Sequence, residues 1–188
     1  MASDKAYDTQ ARLDALITQA GPELANASIS NITGGGPVVI HSKTIPASTL
    51  KAGVLWTMYA AGTLAATTAP TAGNLEVDWG PVGTPLSGTQ LGNLALPAAA
   101  LSWMAPASAM PWICKVKLFG LSTTEIATAI ELKWRLGGGV ANSVDYHTIT
   151  DIAGLTSNVD RDVCLAWGKT GGTGITFATY AAHIGRRG

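Results

Sequence analysis

The groups best suited to chemistry are three histidines, two cysteines and twelve carboxylates, and their spacing organises none of it. His41, His147 and His183 fall in no HExxH, HxH or HxxxH pattern, so local spacing builds no metal site. Each reads as a strand or terminal residue with a satisfied hydrogen bond. Asp145 and His147 stand two apart and would share one face of a strand, but no GxSxG elbow presents a serine to them. Gly168-Lys169-Thr170 has the ending of a phosphate loop, yet Val163 occupies the position that loop reserves for glycine. It reads as a hairpin turn. The glycine runs at 34–36 and 137–139 do not join a strand to a helix in the manner of a phosphate cradle. Asp160 and Asp162 flank Arg161 at a spacing used by calcium loops, without the glycine and final glutamate such loops need, and read as a solvated turn. Cys114 and Cys164 match neither a zinc spacing nor a disulfide framework. They read as small apolar residues on strands, with a bridge across a sandwich as the alternative. The expectation is a protein that is not an enzyme and carries no cofactor or metal.

If not chemistry, then contact. Of 188 residues, 47% are hydrophobic and only 13% charged, about half the roughly 25% charge of an ordinary domain. A GC-rich genome that favours Ala and Gly accounts for part of this. The other part is a surface poorly suited to a free monomer and well suited to being covered by neighbours. Net charge is zero and the longest basic run is Arg186-Arg187, so the clustered cations of a nucleic-acid binder are missing. No apolar run approaches the ~20 residues of a membrane helix. The beginning, MASDKAYD, lacks the basic and apolar regions of a secretion signal, so the expected place of synthesis is a cytoplasm.

Residues 3–20 carry Leu13, Leu16, Ile17 and Ala20 at helical spacing, with Ser3 as a cap and Gly21-Pro22 as a stop. A helix with so narrow a stripe is marginal alone and needs a partner. Residues 21–37 read as a linker whose joint is Gly34-Gly35-Gly36-Pro37. The periodicity then changes from 3.6 to 2, dividing the chain into an arm, 1–37, and a body, 38–188. Strands are expected at Val38–Ser42, Val54–Leu64, Asn74–Trp79, Trp112–Leu121, Glu125–Leu136, Ser143–Thr150, Arg161–Trp167 and Ile175–Ile184. Leu75, Val77 and Trp79 alternate with Glu76 and Asp78. Glu125–Leu136 alternates most cleanly, with Ile126, Thr128, Ile130, Leu132, Trp134 and Leu136 on one face, which predicts one core face and one wet face for that strand. Four of the six tryptophans fall on inferred core faces. Trp103 does not. It sits in Leu94–Pro111, a stretch without charge, where Leu101, Trp103, Met104 and Met110 are candidate interface residues, since loops are normally polar. Folding of that loop over its own sandwich is the competing expectation.

The run TIPASTLKAGVLWTMYAAGTLAATTAP, followed by LALPAAA, PWICKVKLFGLSTTE and DVCLAWG, resembles a jelly-roll domain of tailed-bacteriophage virion proteins over about Thr44–Ile184. WICKVKLFGLS stands where that group often has a more polar strand. The resemblance implies an all-β jelly-roll β-sandwich of tumour-necrosis-factor-like kind, commonly a homotrimer. Joined to the short N-terminal α-helical arm, it implies a capsid decoration (cement) or minor capsid protein of the virion, assembled in the host cytoplasm. Its partners would be copies of itself and the major capsid protein, with no nucleic acid and no membrane. Leu13, Leu16 and Ile17 would anchor the arm to the shell. A tail or fibre component that binds a host-surface glycan is the second reading, with Trp103 as its ligand candidate. A cellular adhesion module is a third, and the missing secretion signal counts against it.

Overall fold

The computed structural model describes residues 27–30, 36–96, 101–102, 110–135 and 143–187. Ten strands occupy them: β1 (Ala27–Ser30), β2 (Val38–Ile45), β3 (Leu55–Ala65), β4 (Ala72–Pro81), β5 (Thr89–Leu96), β6 (Met110–Gly120), β7 (Ile126–Arg135), β8 (Ser143–Ile152), β9 (Arg161–Thr170) and β10 (Thr176–Arg187), with one 3₁₀ turn, η1 (Pro85–Ser87). They form two antiparallel sheets, one ordered β1-β10-β3-β6-β7-β8 and one ordered β2-β9-β4-β5. The chain is a β-sandwich.

The core between the sheets follows the alternation of the strands. From the larger sheet come Trp56, Met58, Leu64, Trp112, Cys114, Val116, Leu118, Ile126 and Ile130, and from the smaller Leu75, Val77, Trp79, Val163, Leu165 and Trp167. Glycines make room for close packing, across the sandwich at Gly92 and within the smaller sheet at Gly73. A β-carbon on Gly92 would lie 3.1 Å from Ile130 Cδ1, and one on Gly73 would lie 2.8 Å from the Trp167 ring. The β9–β10 turn uses Gly171, Gly172 and Gly174 with φ of 68°, 73° and 58°, the left-handed region that only glycine enters at little cost.

Several expectations change. Gly168-Lys169-Thr170 is the end of β9, and the turn begins at Gly171. Ala27–Ser30, inside the segment read as linker, pairs with Thr176–Thr179 of β10. In the sequence the run Gly34–Gly36 falls between β1 and β2. The expected helix, with Leu13, Leu16 and Ile17, lies outside the described residues. β5 falls in a region where no strand was expected, and it takes in the first residues of the uncharged stretch. Leu101 is 0% exposed and belongs to the core, which removes it from the candidate contact surface. Leu94 and Leu96, from the same stretch, are buried in their own sandwich too. Met110 opens β6. Trp103 and Met104 lie outside the described residues.

Candidate interaction surfaces

His41 on β2, His147 on β8 and His183 on β10 occupy three separate strands, and among the described residues no group of three His, Cys, Asp or Glu is placed to hold a metal ion. Asp145 and His147 sit opposite Lys133 and Glu131 of β7. Cys114 and Cys164 are both free and buried. Cys114 faces the core, whereas Cys164 lies on the far side of the smaller sheet, so no bridge crosses the sandwich. Burial pushes both thiols up to about 12, away from the thiolate form that reacts.

Two outer faces remain. The outer face of the larger sheet is built from the second parity of its strands. The registers Ala61–Ile113–Lys133, Tyr59–Lys115–Glu131–His147, Thr57–Lys117–Ala129–Ile149 and Leu55–Phe119–Ala127–Asp151 run across it. Ile113 is 56% exposed and Ile149 74%, and Tyr59 and Phe119 are exposed too. Ala61, Ala127 and Ala129 leave the sheet low between them. The charges on this face are partly spent on each other. Lys117 reaches Glu131 at 3.9 Å, and Lys115 lies over the Tyr59 ring at 5.6 Å, a favourable cation–aromatic contact. A flat sheet face with apolar side chains standing among neutralised charges is a surface suited to a protein partner. Burying one isoleucine contributes roughly 1.5–3 kcal/mol. Ile113→Lys combined with Ile149→Lys is therefore expected to weaken self-association by at least about 100-fold, read as a change to slower species in sedimentation velocity.

The outer face of the smaller sheet is the second. Glu76, Asp78 and Asp162 are buried there beside Cys164 and Ala166. Asp162 is no solvated turn. It accepts Thr44 Oγ1 at 2.7 Å and the Gly83 N–H at 2.8 Å, tying β9 to β2 and to the turn after β4. Glu76 accepts from Asn74 and Gln90. Asn74 and Glu76 lie over Gly168, where a β-carbon would meet Asn74 Oδ1 at 2.5 Å. Asp78, opposite both Gln90 and Cys164, sits between these two satisfied carboxylates with its Oδ2 buried and unbonded. Burial, with Glu76 adding repulsion, raises its carboxyl to about 7. The hydrogen bonds that hold Glu76 and Asp162 come from other strands and turns and leave no periodic signal.

The loops at one end form a third feature, an open basin lined by Ser48, Lys51, Thr123, Thr124, Thr156, Ser157 and Asn158. Ser48 holds φ of 60°, a strained conformation for a residue with a side chain. The loop is fixed by Ser48 N–H to Ser157 O (2.7 Å), by Ala47 N–H to Asp160 Oδ1 (2.8 Å), and beneath it by the Trp79 indole N–H to Thr156 O (2.9 Å). Trp56, Trp79, Trp112 and Trp167 are all core, so none of the four offers a ring to a ligand.

The architecture defines an antiparallel two-sheet β-sandwich. No family model matches the chain, and no curated protein matches it. Among solved structures it is similar to arcelin-5, a lectin-like defence protein of Phaseolus vulgaris, at 9% identity and TM-score 0.43, covering 77% of this chain and 76% of that one. It is also similar to lectin I-B4 of Griffonia simplicifolia, at 9% identity and TM-score 0.38, covering 81% and 78%. A third is the CBM2 module of the evolved Dit of Lactobacillus casei BL23 phage J-1, at 13% identity and TM-score 0.30, covering 77% and 67%. Likeness at these values carries no argument about function.

Proposed function

We propose that the protein is a structural component of a bacteriophage particle, a capsid decoration or minor capsid protein that packs against copies of itself and the major capsid protein. The observation that carries this reading is the outer face of the larger sheet, where Ile113 and Ile149 stand exposed in a chain with 13% charged residues. The resemblance of Thr44–Ile184 to virion jelly-roll domains supports it. Such a protein stabilises a shell by mass action, binding the assembled lattice better than the free subunit, and many weak contacts on a repeating surface add through effective concentration. Electron microscopy of particles tests it: copies spread across the head support the reading, and particles whose heads lack the chain overturn it.

The arm carries its own prediction. Because β1 belongs to the sandwich, the informative truncation removes residues 1–26 and spares Ala27–Ser30. That truncation is expected to reduce co-sedimentation with shells at least tenfold, and Leu16→Asp in the full chain to act in the same direction. Full occupancy by both variants would show that the stripe of Leu13, Leu16 and Ile17 anchors nothing on the shell.

The hydroxyl-rich basin around strained Ser48 favours one second reading, a tail or fibre component that binds a host-surface glycan. Copies confined to the tail tip, with a glycan-array signal lost in Asn158→Ala at the basin, would support it.

A further inference from the structure

Two cations stand where strand alternation calls for apolar side chains. On β2, Lys43 shares its parity with the core residue Ile45 and lies opposite Val163 of β9, also core. On β10, Arg186 shares its parity with Ala182 and Ile184, both core, and lies opposite Trp56 of β3. Both cations therefore belong to rows that face between the sheets, yet both are exposed. They line one cleft of about 240 Å³ together with Ile45, Pro46, Trp56 and Ile184, among others. Ile45, Trp56 and Ile184 are buried and give the cleft an apolar floor. Among the described residues that line it there is no carboxylate. Lys43 Nζ donates to Ile184 O at 3.0 Å, which holds the ammonium at the cleft and leaves two of its three protons for another acceptor. The Arg186 guanidinium adds a planar fork of donors that matches the two oxygens of a carboxylate.

Charge and floor together name the ligand. We propose that the cleft binds a small monocarboxylate with a short apolar tail, its carboxylate on Lys43 and Arg186 and its tail on Ile45, Trp56 and Ile184. At roughly 30 Å³ for each water, the cleft has room for about eight waters or a ligand of roughly ten non-hydrogen atoms. It is smaller than the ~300–1,000 Å³ sites that take larger ligands, and too small for a helix or a strand with its side chains. An inorganic anion would answer the two cations and leave the floor wet. An uncharged hydrocarbon would cover the floor and leave the cations unanswered. Inward-pointing charges also guard sheet edges against stray pairing. That role accounts for a charge on β2, the edge of the smaller sheet, but not for the apolar floor that Lys43 shares with Arg186.

Titration of the full-length protein with octanoate, followed by amide NMR shifts, tests this. Saturable binding with a Kd of about 0.1–1 mM is expected for a ligand of this size, with the largest shifts at Ile45, Thr49 and Ile184. Octanol, which has the tail without the charge, and acetate, which has the charge without the tail, are each expected to bind at least tenfold more weakly. Lys43→Gln combined with Arg186→Gln is expected to weaken octanoate at least tenfold, while Lys117→Gln on the outer face of the larger sheet leaves it unchanged. Three results would each overturn the proposal: no saturation by octanoate up to about 10 mM, octanol bound as tightly as octanoate, or full binding by the double variant. None of the residues of the Ile113–Ile149 face lines the cleft, so failure here is distinct from failure to find the protein on particle heads.

Discussion

Asp78→Asn is expected to make the protein more stable at pH 8 by about 2 kcal/mol and to flatten its stability between pH 5 and pH 8. Asp78 is 5% exposed, and its carboxyl is raised from 3.8 to about 7, first by burial and then by Glu76. The proton binds the folded chain more tightly than the unfolded one. Between these two values the folded state carries more protons, so stability falls as pH rises, and the cost is complete above pH 7. The wild-type protein should therefore tolerate more denaturant at pH 5 than at pH 8, the reverse of a protein held by ionised carboxylates. A carboxyl that titrates one pH unit higher in the folded chain costs about 1.4 kcal/mol once ionised. A relaxing side chain recovers part of its hydration, which brings the expected effect across the window down to about 2 kcal/mol. Asparagine keeps the shape, removes the charge beside Glu76 and ends the titration. Urea unfolding of both proteins across this window is the check. An asparagine variant that is weaker at pH 8 would mean that the ionised carboxylate has a partner and is wanted.

Trp167→Ala is expected to cost about 3–5 kcal/mol, the range for truncating a buried aromatic. Trp167 is among the largest fully buried side chains. It sits on β9, the strand that joins β2 to β4, and its ring lies where a β-carbon on Gly73 would go. The two positions share one space and should not act additively. Gly73→Ala alone pushes a methyl group within 2.8 Å of Trp167 Cη2 and destabilises. In the Trp167→Ala background the same methyl enters a cavity, and its cost should vanish or reverse. A coupling of roughly 0.5–3 kcal/mol is expected for residues in contact. Strict additivity in the four-protein denaturation cycle would contradict this packing.

What could be read from the residues was alternation. In β7, Ile126, Thr128, Ile130 and Leu132 are buried while Glu131 and Lys133 are exposed, and the same rule placed Trp112, Cys114, Val116 and Leu118 in the core. What escaped has local causes. β5 escaped because the register slips between its partners Val77 and Asp78, and because Gly92 replaces a side chain that Ile130 excludes. Four residues of β1 are too few to show a period. Leu101 suggested contact by being apolar in a loop, yet its burial is decided by Gly73 and Trp167, distant in sequence. The same holds for Asp78. Its surroundings come from β5 and β9, and no residue adjacent to it announces them. The exposed face of the larger sheet was half legible, since Ile113 and Ile149 break the polar parity of their strands. That the two would share one face of one sheet depended on the β6–β7–β8 meander.

The proposal stands on burial completed by other subunits, and the mass of the free protein measures that directly. Sedimentation velocity of the purified full-length chain over a concentration series is expected to show a discrete oligomer, with a trimer as the expected size. A single species at 19.2 kDa, soluble and unchanged at the highest concentration, would contradict the account.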